Sequence, residues 1–396
     1  PSASSPASSS SSPASSLSFP RKRESSGSRA FVKLFGYYPD KSSDKASAAK
    51  RESPEPADRI YLDNNATTAV HPDVCTAMEH AVRHLFGNAS AIHTDGRAVK
   101  VAIEDARRRV AKLIGSTARR IVFTGGGSEA NNQVIKGIAF ASRGRKRHII
   151  TTSIEHPSVL MACEWLQRFG FRLTYLPVDG FGLVNPEDLR KALTSDTLLV
   201  SVMTANNETG TVQPIAELAS IARERGALFH TDAVQAVGKI PIDAASLGVD
   251  FLTLSSHKFH GPKGVGAIYI RYGIEIDPLI HGGRQEHGLR AGTENSIGII
   301  GLGRAAELAE RRIPEMSTRV RRLRDELEQG IMELVPGASV NGHPENRLPH
   351  TLNISLPGIR GESMVIALDA RGISLSSGSA CRSGSPRPSH ALTAMG

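Results

Sequence analysis

Short apolar runs alternate with amphipathic stretches along the chain from Arg59 onward. The apolar runs have the length of β-strands, and the stretches between them have the spacing of helices. Strands are predicted at Arg120–Thr124, His148–Thr152, Arg172–Pro177, Leu198–Thr204, Ala227–Thr231, Phe251–Ser255 and Gly266–Ile270. Helices are predicted over 72–86, 97–114, 129–142, 157–168, 186–194, 214–225 and 296–334. This alternation is typical of an α/β protein with a mainly parallel, seven-stranded sheet covered on both faces.

The pattern changes after about Pro336. Leu352–Leu356 is predicted as a strand, Glu362–Arg371 as a helix and Ile373–Ser376 as another strand. We expect a large domain over 72–312 and a smaller α+β domain formed by 59–71 together with 313–396. Ligands of parallel sheets bind outside the carboxyl ends of the strands. Residues that follow each strand are therefore the first candidates for a functional site.

Residues 1–58 have a different composition. The first sixteen residues are all Ser, Ala or Pro, and ten of them are Ser. Such a segment buries too little apolar surface to offset the entropy of ordering, so a disordered low-complexity extension is predicted. The basic residues Arg21, Lys22 and Arg23 also fit an organelle transit peptide. The expected compartment is the cytoplasm, with mitochondrion or plastid as the alternative if the extension is a transit peptide.

Composition narrows the class of protein only slightly. The formal net charge is +9, without aromatic residues interleaved among the basic ones, which favours a solvated basic surface over nucleic-acid binding. No stretch approaches the roughly 20 apolar residues that span a bilayer. The three cysteines, Cys75, Cys163 and Cys381, are widely spaced and form no CxxC pair. Neither a disulfide framework nor a metal site is predicted.

A glycine-rich turn follows the first predicted strand. In the stretch Thr124–Asn131, three consecutive glycines lead into a helix. Glycines allow close approach of the backbone to an anion, and a helix N-terminus supplies N–H groups and the positive end of a dipole. The motif is neither GxGxxG nor GxxxxGK[ST]. Phosphate binding and a simple tight turn are both consistent with it.

Two further motifs follow neighbouring strands. Asp232 ends the apolar run Phe229–Thr231, where a carboxylate would face the ligand crevice. Lys258 follows Leu254–Ser256 in a loop rich in Gly and Pro, and a partly deprotonated lysine there can form a Schiff base. The alternatives are a surface aspartate that caps a helix, a loop that binds anions non-covalently, and Lys263 as the reactive lysine.

Taken together, these motifs resemble the NifS/IscS-type cysteine desulfurases. The resemblance rests on Leu62–Thr68, Glu155–His156, Asn206–Gly210, Asp232–Gln235 and Ser255–Lys258, which occur in the same order. It extends from about Ile60 to the last residue. This family belongs to the aminotransferase class V group of pyridoxal-phosphate (PLP) enzymes with fold type I. The resemblance therefore implies PLP as the cofactor and L-cysteine as the substrate.

The resemblance also implies a role for each matching residue. Lys258 would hold PLP covalently, Asp232 would pair with the pyridine nitrogen, and Gln235 would bond the ring hydroxyl. His156 would stack on the ring and move protons, and Asn207 would lie beside it. The phosphate would be held by Gly127, Ser128, Ser255 and His257. Thr293 matches a residue that reaches the phosphate of a neighbouring subunit, which implies a homodimer.

Cys381 is the predicted sulfur acceptor. It lies in Ser376–Ser385, where small residues and glycines predict an exposed loop. The positive charge of Arg382, next to Cys381, favours the ionised form of this thiol, the thiolate. The segment resembles the persulfide loop of the family, whose partners include iron–sulfur scaffold proteins and other sulfur acceptors. The alternative is an incidental loop cysteine.

The C-terminus departs from the family pattern. The chain ends at Gly396, so we expect a truncated small domain and can assign no arginine for the substrate carboxylate. The predicted activity is release of sulfur from L-cysteine, giving L-alanine and a persulfide. Selenocysteine lyase, another class V enzyme and a catalytically impaired sulfur-transfer partner are the alternatives. A nucleic-acid-binding protein is a further alternative that depends on net charge alone.

Overall fold

The computed structural model describes residues 59–378 and 389–396, and the fold that follows is that of these residues. Its strands are β1 (Ile60–Tyr61), β2 (Ile121–Thr124), β3 (His148–Thr152), β4 (Arg172–Leu176), β5 (Thr197–Ser201), β6 (Leu228–Asp232), β7 (Phe251–Ser255), β8 (Gly266–Ile270), β9 (Ser339–Val340), β10 (Ile354–Ser355) and β11 (Ile373–Ser374).

The helices alternate with the strands as predicted. They are α1 (Pro72–His84), α2 (Thr94–Leu113), α3 (Gly127–Ala141), α4 (Pro157–Gln167), α5 (Pro186–Ala192), α6 (Ile215–Glu224), α7 (Ala244–Leu247), α8 (Ser296–Glu315), α9 (Arg321–Leu334), α10 (Gly361–Asp369) and α11 (His390–Met395). Short 3₁₀ turns follow β7 at Ser256–Lys258 and precede α8 at Glu286–Gly288.

The central sheet has seven strands in the order β2-β8-β7-β6-β5-β3-β4. All are parallel except β8, which runs antiparallel to both of its neighbours. The predicted fold class, a mainly parallel seven-stranded α/β sheet, is confirmed. Since parallel strands end at one edge of the sheet, the residues that follow β2, β3, β6 and β7 come together there.

Alternating residues of the inner strands fill two apolar cores, one on each face of the sheet. Val200, Phe229 and Leu252 belong to one core, whereas Leu199 and Phe251 belong to the other. This follows from the two-residue period of side chains along a strand. Helices cover both faces, so the sheet that supports the strand ends is buried on both sides.

The helix predicted over 296–334 is not a regular α-helix. It contains a π-helical segment at Met316–Val320, between α8 and α9. Pro314 precedes this segment and has no N–H to donate to the preceding turn. The hydroxyls of Ser317 and Thr318 donate to the carbonyl of Pro314 at 3.1 and 2.8 Å. The helical path therefore continues with a locally wider turn.

Two small pairings lie outside the central sheet. β1 pairs in parallel with β11, and β9 pairs antiparallel with β10. The strand predicted over 352–356 is shorter than expected, since only Ile354–Ser355 pairs. Within 59–378 and 389–396, no helix is long and apolar enough to cross a membrane.

A buried ion pair fixes the loop between β8 and α8 to the rest of the fold. Arg107 on α2 donates twice to the carboxylate of Glu286, at 2.7 and 2.8 Å. Glu286 also accepts the backbone N–H of Phe123 at 2.8 Å, and the Arg107 guanidinium lies 4.6 Å from the Phe123 ring centre. Both charged side chains are 4% exposed. Glu286 has a positive φ of 47°, which these contacts hold in place.

Replacement of Arg107 by Met tests this anchor. Loss of one partner leaves a buried carboxylate uncompensated, so we expect the free energy of unfolding to fall by about 3–5 kcal/mol. Denaturant unfolding measures the change. Arg190→Met, in the exposed pair with Glu187, is the matched control, and its expected loss is below about 1 kcal/mol. Equal losses in the two variants would contradict the anchoring role.

Candidate active site

The glycine turn after β2 forms one wall of a cavity of about 440 Å³. Gly126 has a φ of 145°, which disfavours any side chain. A Cβ on Gly127 would lie 2.9 Å from Val234 and 3.5 Å from Ser255, so this glycine permits close packing against the ends of β6 and β7. No side chain caps the N-terminus of α3. Its first N–H groups are therefore available to an anion.

Ser128, Ser255 and His257 line the same cavity. Burial, followed by the charges of Lys258 and Lys263, lowers the pKa of His257 to about 4. The ring is therefore neutral at pH 7, with one N–H. Its Nδ1 lies 3.0 Å from the hydroxyl of Thr67. The wall thus combines hydroxyls, an imidazole and a helix N-terminus, which suits a phosphate group.

Asp232 ends β6 and is buried, with 5% of the residue exposed. Asn131 Nδ2 donates to Asp232 Oδ2 at 2.7 Å, and the Val234 N–H donates to Oδ1 at 2.9 Å. Thr253 donates its hydroxyl to Asn131 Oδ1 at 2.6 Å. The asparagine is thereby oriented with its NH₂ group toward the carboxylate, and the carboxylate is held in one orientation.

A second hydrogen bond from Asn131 extends this network to His156. Asn131 Nδ2 donates to the hydroxyl of Ser158 at 2.9 Å, and that hydroxyl lies 2.8 Å from His156 Nδ1. The Ser158 N–H also donates to Nδ1, at 3.1 Å. Since an N–H can only donate, Nδ1 is an acceptor and the neutral ring carries its proton on Nε2. Burial, only partly opposed by Asp232, lowers the pKa of His156.

Lys258 ends the 3₁₀ turn after β7. Its Nζ donates to the backbone carbonyls of Asn65 and Ala66, at 2.5 and 2.9 Å. Gln235 Nε2 donates to the same Asn65 carbonyl at 3.0 Å. Asn65 Nδ2 in turn donates to the carbonyl of Asn207 at 3.3 Å. The segment that leads from β1 to α1 thus brings Lys258, Gln235 and Asn207 together.

Most of the predicted site residues lie at this edge of the sheet, while three need separate comment. Thr293 is exposed and does not line the cavity. It is in the loop of Arg290, which donates through Nε to Glu129 at 3.0 Å, and Glu129 accepts the Gly125 N–H at 2.9 Å. Cys381 lies outside the described residues. Asn207 reaches the site through its backbone carbonyl.

The sequence analysis assigned no individual role to several site residues. Asn131, Ser158 and Thr253 form the hydrogen bonds between Asp232 and His156, and Asn65 accepts from Lys258. A signal existed for Asn131, because an asparagine occurs on the buried side of α3, where apolar residues are the norm. The interaction of that asparagine with a strand 101 residues away follows only from the fold.

Within 59–378 and 389–396, no group of three or more His, Cys, Asp or Glu side chains is placed to hold a metal ion. The chemistry of the site instead depends on one lysine, one buried carboxylate, one histidine and an anion pocket. These groups match what PLP requires: a covalent attachment, a partner for its ring nitrogen and a cradle for its phosphate.

Comparison with known proteins agrees with this chemistry. Residues 60–396 match the family described as aminotransferase class-V, a class of PLP-dependent enzymes. The chain is 51% identical over 337 residues to "Cysteine desulfurase IscS" of Methanosarcina thermophila, a match that covers 85% of this chain and 83% of that protein. It is 50% identical to the protein of the same name from Dictyoglomus turgidum, with 85% of each chain covered. The chain belongs to the cysteine desulfurase family.

Solved structures give the same result. The structure titled "NIFS-LIKE PROTEIN" superimposes with a TM-score of 0.80 at 43% identity, covering 85% of this chain and 89% of that one. The structure titled "SspA in complex with cysteine" has a TM-score of 0.75 at 39% identity, covering 85% and 94%. The predicted family, fold type and cofactor are confirmed.

Replacement of Asn131 by Ala tests the network. Loss of a hydrogen bond to a buried carboxylate costs about 1.5–3 kcal/mol, so we expect PLP affinity to fall at least about tenfold. Cofactor absorbance after equilibrium dialysis measures it. The matched control is Asn132→Ala, one position along α3, whose Nδ2 donates to the carbonyls of Ser128 and Ser158. Equal PLP affinity in the two variants would contradict the assigned role of Asn131.

Proposed function

We propose that the chain removes sulfur from L-cysteine, giving L-alanine and a persulfide on Cys381. The observation that carries this proposal is the position of Lys258 beside the hydrogen-bonded group of Asp232, Asn131 and His156. PLP-dependent chemistry at the Cα atom of an amino acid requires a lysine, a ring-nitrogen partner and a proton carrier. The relatives named cysteine desulfurase, at about half sequence identity, support L-cysteine as the substrate.

PLP, when bound, supplies an electron sink for the bond-breaking steps at the amino acid. Asp232 would hold the ring nitrogen protonated, because its carboxylate is buried and fixed by Asn131 and the Val234 N–H. The uncapped start of α3 at Gly127, together with Ser255, would hold the phosphate. These residues bind and orient the cofactor.

Lys258 and His156 are proposed to move protons. Lys258 Nζ reaches the carbonyls of Asn65 and Ala66 at the edge of the site, so its amine is directed at the crevice. The depressed pKa of His156 keeps the ring in its basic form at neutral pH. Either group can then accept the α-proton of the substrate.

Cys381 is proposed as the sulfur acceptor, and the two ends of its segment support this role. On one side, the hydroxyl of Ser376 donates to Asp63 Oδ1 at 2.6 Å. On the other side, His390 Nε2 donates to the carbonyl of Glu155 at 2.8 Å. Both ends therefore lie beside the site. In the transfer, the thiolate of Cys381 would attack the substrate sulfur. A sulfur–sulfur bond forms, the carbon–sulfur bond breaks, and its electron pair stays on the substrate carbon, which takes up a proton to become the methyl group of alanine.

We propose a homodimer and an iron–sulfur scaffold or other acceptor protein as the partners. Exposure of Thr293 supports the dimer, because a residue that reaches a neighbouring subunit must lie at the surface. Arg290, in the same loop as Thr293, forms an ion pair with Glu129. This ion pair connects the loop to the glycine turn of the proposed phosphate site in the same chain. A partner's phosphate site and the chain's own site would then be adjacent.

The proposed compartment is the cytoplasm. Both cysteines within the described residues, Cys75 and Cys163, are free thiols. Free thiols are typical of reducing compartments. The prokaryotic sources of the cysteine desulfurase relatives also agree with this compartment.

Cys381→Ser separates sulfur transfer from cofactor binding. We expect PLP absorbance to remain unchanged and alanine production from cysteine to fall at least about a hundredfold, because a serine hydroxyl cannot accept the substrate sulfur as a persulfide. The matched control is Cys75→Ser, an exposed thiol on α1, which should keep full activity. Lys258→Ala should instead abolish the borohydride-trapped PLP adduct. Undiminished turnover by Cys381→Ser would exclude Cys381 as the acceptor.

The pH dependence of turnover tests the role of His156. Its lowered pKa means that the basic form persists as the pH falls below 6.5. Activity should therefore hold between pH 7 and 6.5 and decline only at lower pH. The measurement is kcat/KM for alanine production in the wild type and in His156→Gln, which should lose most activity and this acidic limb. The proposal would be contradicted if the acidic decline of the wild-type activity were centred above pH 6.5 and were absent in His156→Gln.

A further inference from the structure

A second cavity lies apart from the glycine turn, between the turn at Lys239, the loop after Lys258 and the C-terminal half of α8. Its volume is about 20 Å³. A cavity needs about 10–15 Å³ to hold one water molecule. This cavity therefore has room for one water molecule or one ion of similar size. Its polar lining comes from His71, Lys239, His260 and Arg312.

Lys239 is the unusual member of this lining. The residue is 5% exposed. Within 59–378 and 389–396, its Nζ makes no hydrogen bond to a protein acceptor and no ion pair with a carboxylate. A lysine ammonium has three donors, and buried charges in proteins are normally paired. Burial, then the charges of Arg312 and Lys258, lowers the pKa of Lys239 to about 8. The amine therefore remains mainly protonated at pH 7.

The two histidines of the lining supply no negative charge, and of their ring nitrogens only His260 Nε2 remains as an unused acceptor. His71 Nδ1 accepts the Asp73 N–H at 3.1 Å, so the neutral ring carries its proton on Nε2. His260 Nδ1 lies 3.0 Å from the carbonyl of Ala69, to which it donates. The carboxylate of Asp73, two residues after His71, is already engaged. Asp73 pairs with Arg304 at 2.7 Å.

The charge of Arg312 is only partly compensated. Its Nε lies 3.5 Å from Glu315, and that carboxylate also pairs with Arg319 at 3.1 Å. Nearby, both ring nitrogens of His350 are buried without a hydrogen-bond partner in the described part of the chain. Lys239 and Arg312 thus form a region with excess positive charge, and the His350 ring beside them is kept neutral because burial lowers its pKa.

We propose that this cavity is a binding site for one small inorganic anion of the size of chloride, with Lys239 as its principal ligand. An anion would satisfy the ammonium, which no described protein group does, and would offset the positive charge of Arg312. The volume excludes carboxylate metabolites and nucleotides. The site is separate from the phosphate wall at Gly127 and is not required by the proposed desulfurase reaction.

Crystals of the full, PLP-loaded chain grown in bromide test the site directly. PLP occupies the phosphate wall, so bromide cannot report on that site instead. We expect an anomalous peak within hydrogen-bonding distance of Lys239 Nζ. An ordered water without anomalous signal at this position would overturn the proposal.

Thermal unfolding of the same holoenzyme tests binding in solution. Chloride should raise the apparent Tm by about 2 °C over gluconate at equal ionic strength, since a ligand of the folded state stabilises it. Lys239→Met should remove this difference, and its Tm in gluconate should equal or exceed that of the wild type, because an uncompensated buried charge is gone. This last result distinguishes an anion ligand from a purely structural lysine.

Lys146→Met is the matched control. Lys146 Nζ donates to the carbonyls of Thr197 and Gly226, away from this cavity, so this variant should keep the chloride response. Equal chloride shifts in the wild type and Lys239→Met would overturn the proposal. A bromide peak with no shift in solution would show binding at crystal concentration only, which also overturns it. If Lys239→Met does not fold, the wild-type bromide and chloride results decide.

Discussion

The hydrogen bonds of Asn131 to Asp232 and Ser158 are the interaction on which the site depends. One amide group links the carboxylate at the end of β6 to the histidine that caps α4. Thr253 fixes the amide orientation from the neighbouring strand. Because every member is buried or half-buried, a misoriented amide would leave a carboxylate uncompensated in a region of low dielectric constant. The network therefore determines one arrangement of the reactive groups.

The parallel sheet makes this arrangement available. β6 and β7 pair in register at Asp232 and Thr253, so the carboxylate and the hydroxyl that orients Asn131 are directly opposite each other. The 3₁₀ turn after β7 then carries Lys258 to the same edge. The antiparallel strand β8 returns the chain beside the glycine turn, where Gly266 pairs with Thr124. Two cores, one on each face, hold these strand ends in position.

The local sequence was sufficient to predict the strands and to identify the residues that follow them as candidates for the site. Asp232 and Lys258 come directly after apolar runs, and this position alone predicts that they meet at one edge. The family resemblance added the roles of His156 and Gln235. By contrast, the contact of Arg107 with Glu286 joins residues 179 positions apart, and no periodicity indicates it. The widened turn after Pro314 was also missed, because a long amphipathic pattern continues across it.

The Asn65 carbonyl lies where several parts of the chain meet. It accepts from both Lys258 and Gln235, on the short connection that begins at β1, and β1 is held to the chain by its pairing with β11. Two residues after β11, Ser376 is tied to Asp63 of that same connection. Lys258, Gln235 and Ser376 are therefore all hydrogen-bonded to the connection between β1 and α1. Contacts of the cofactor-binding lysine and of the residues that follow β11 thus converge on the same few peptides between β1 and α1.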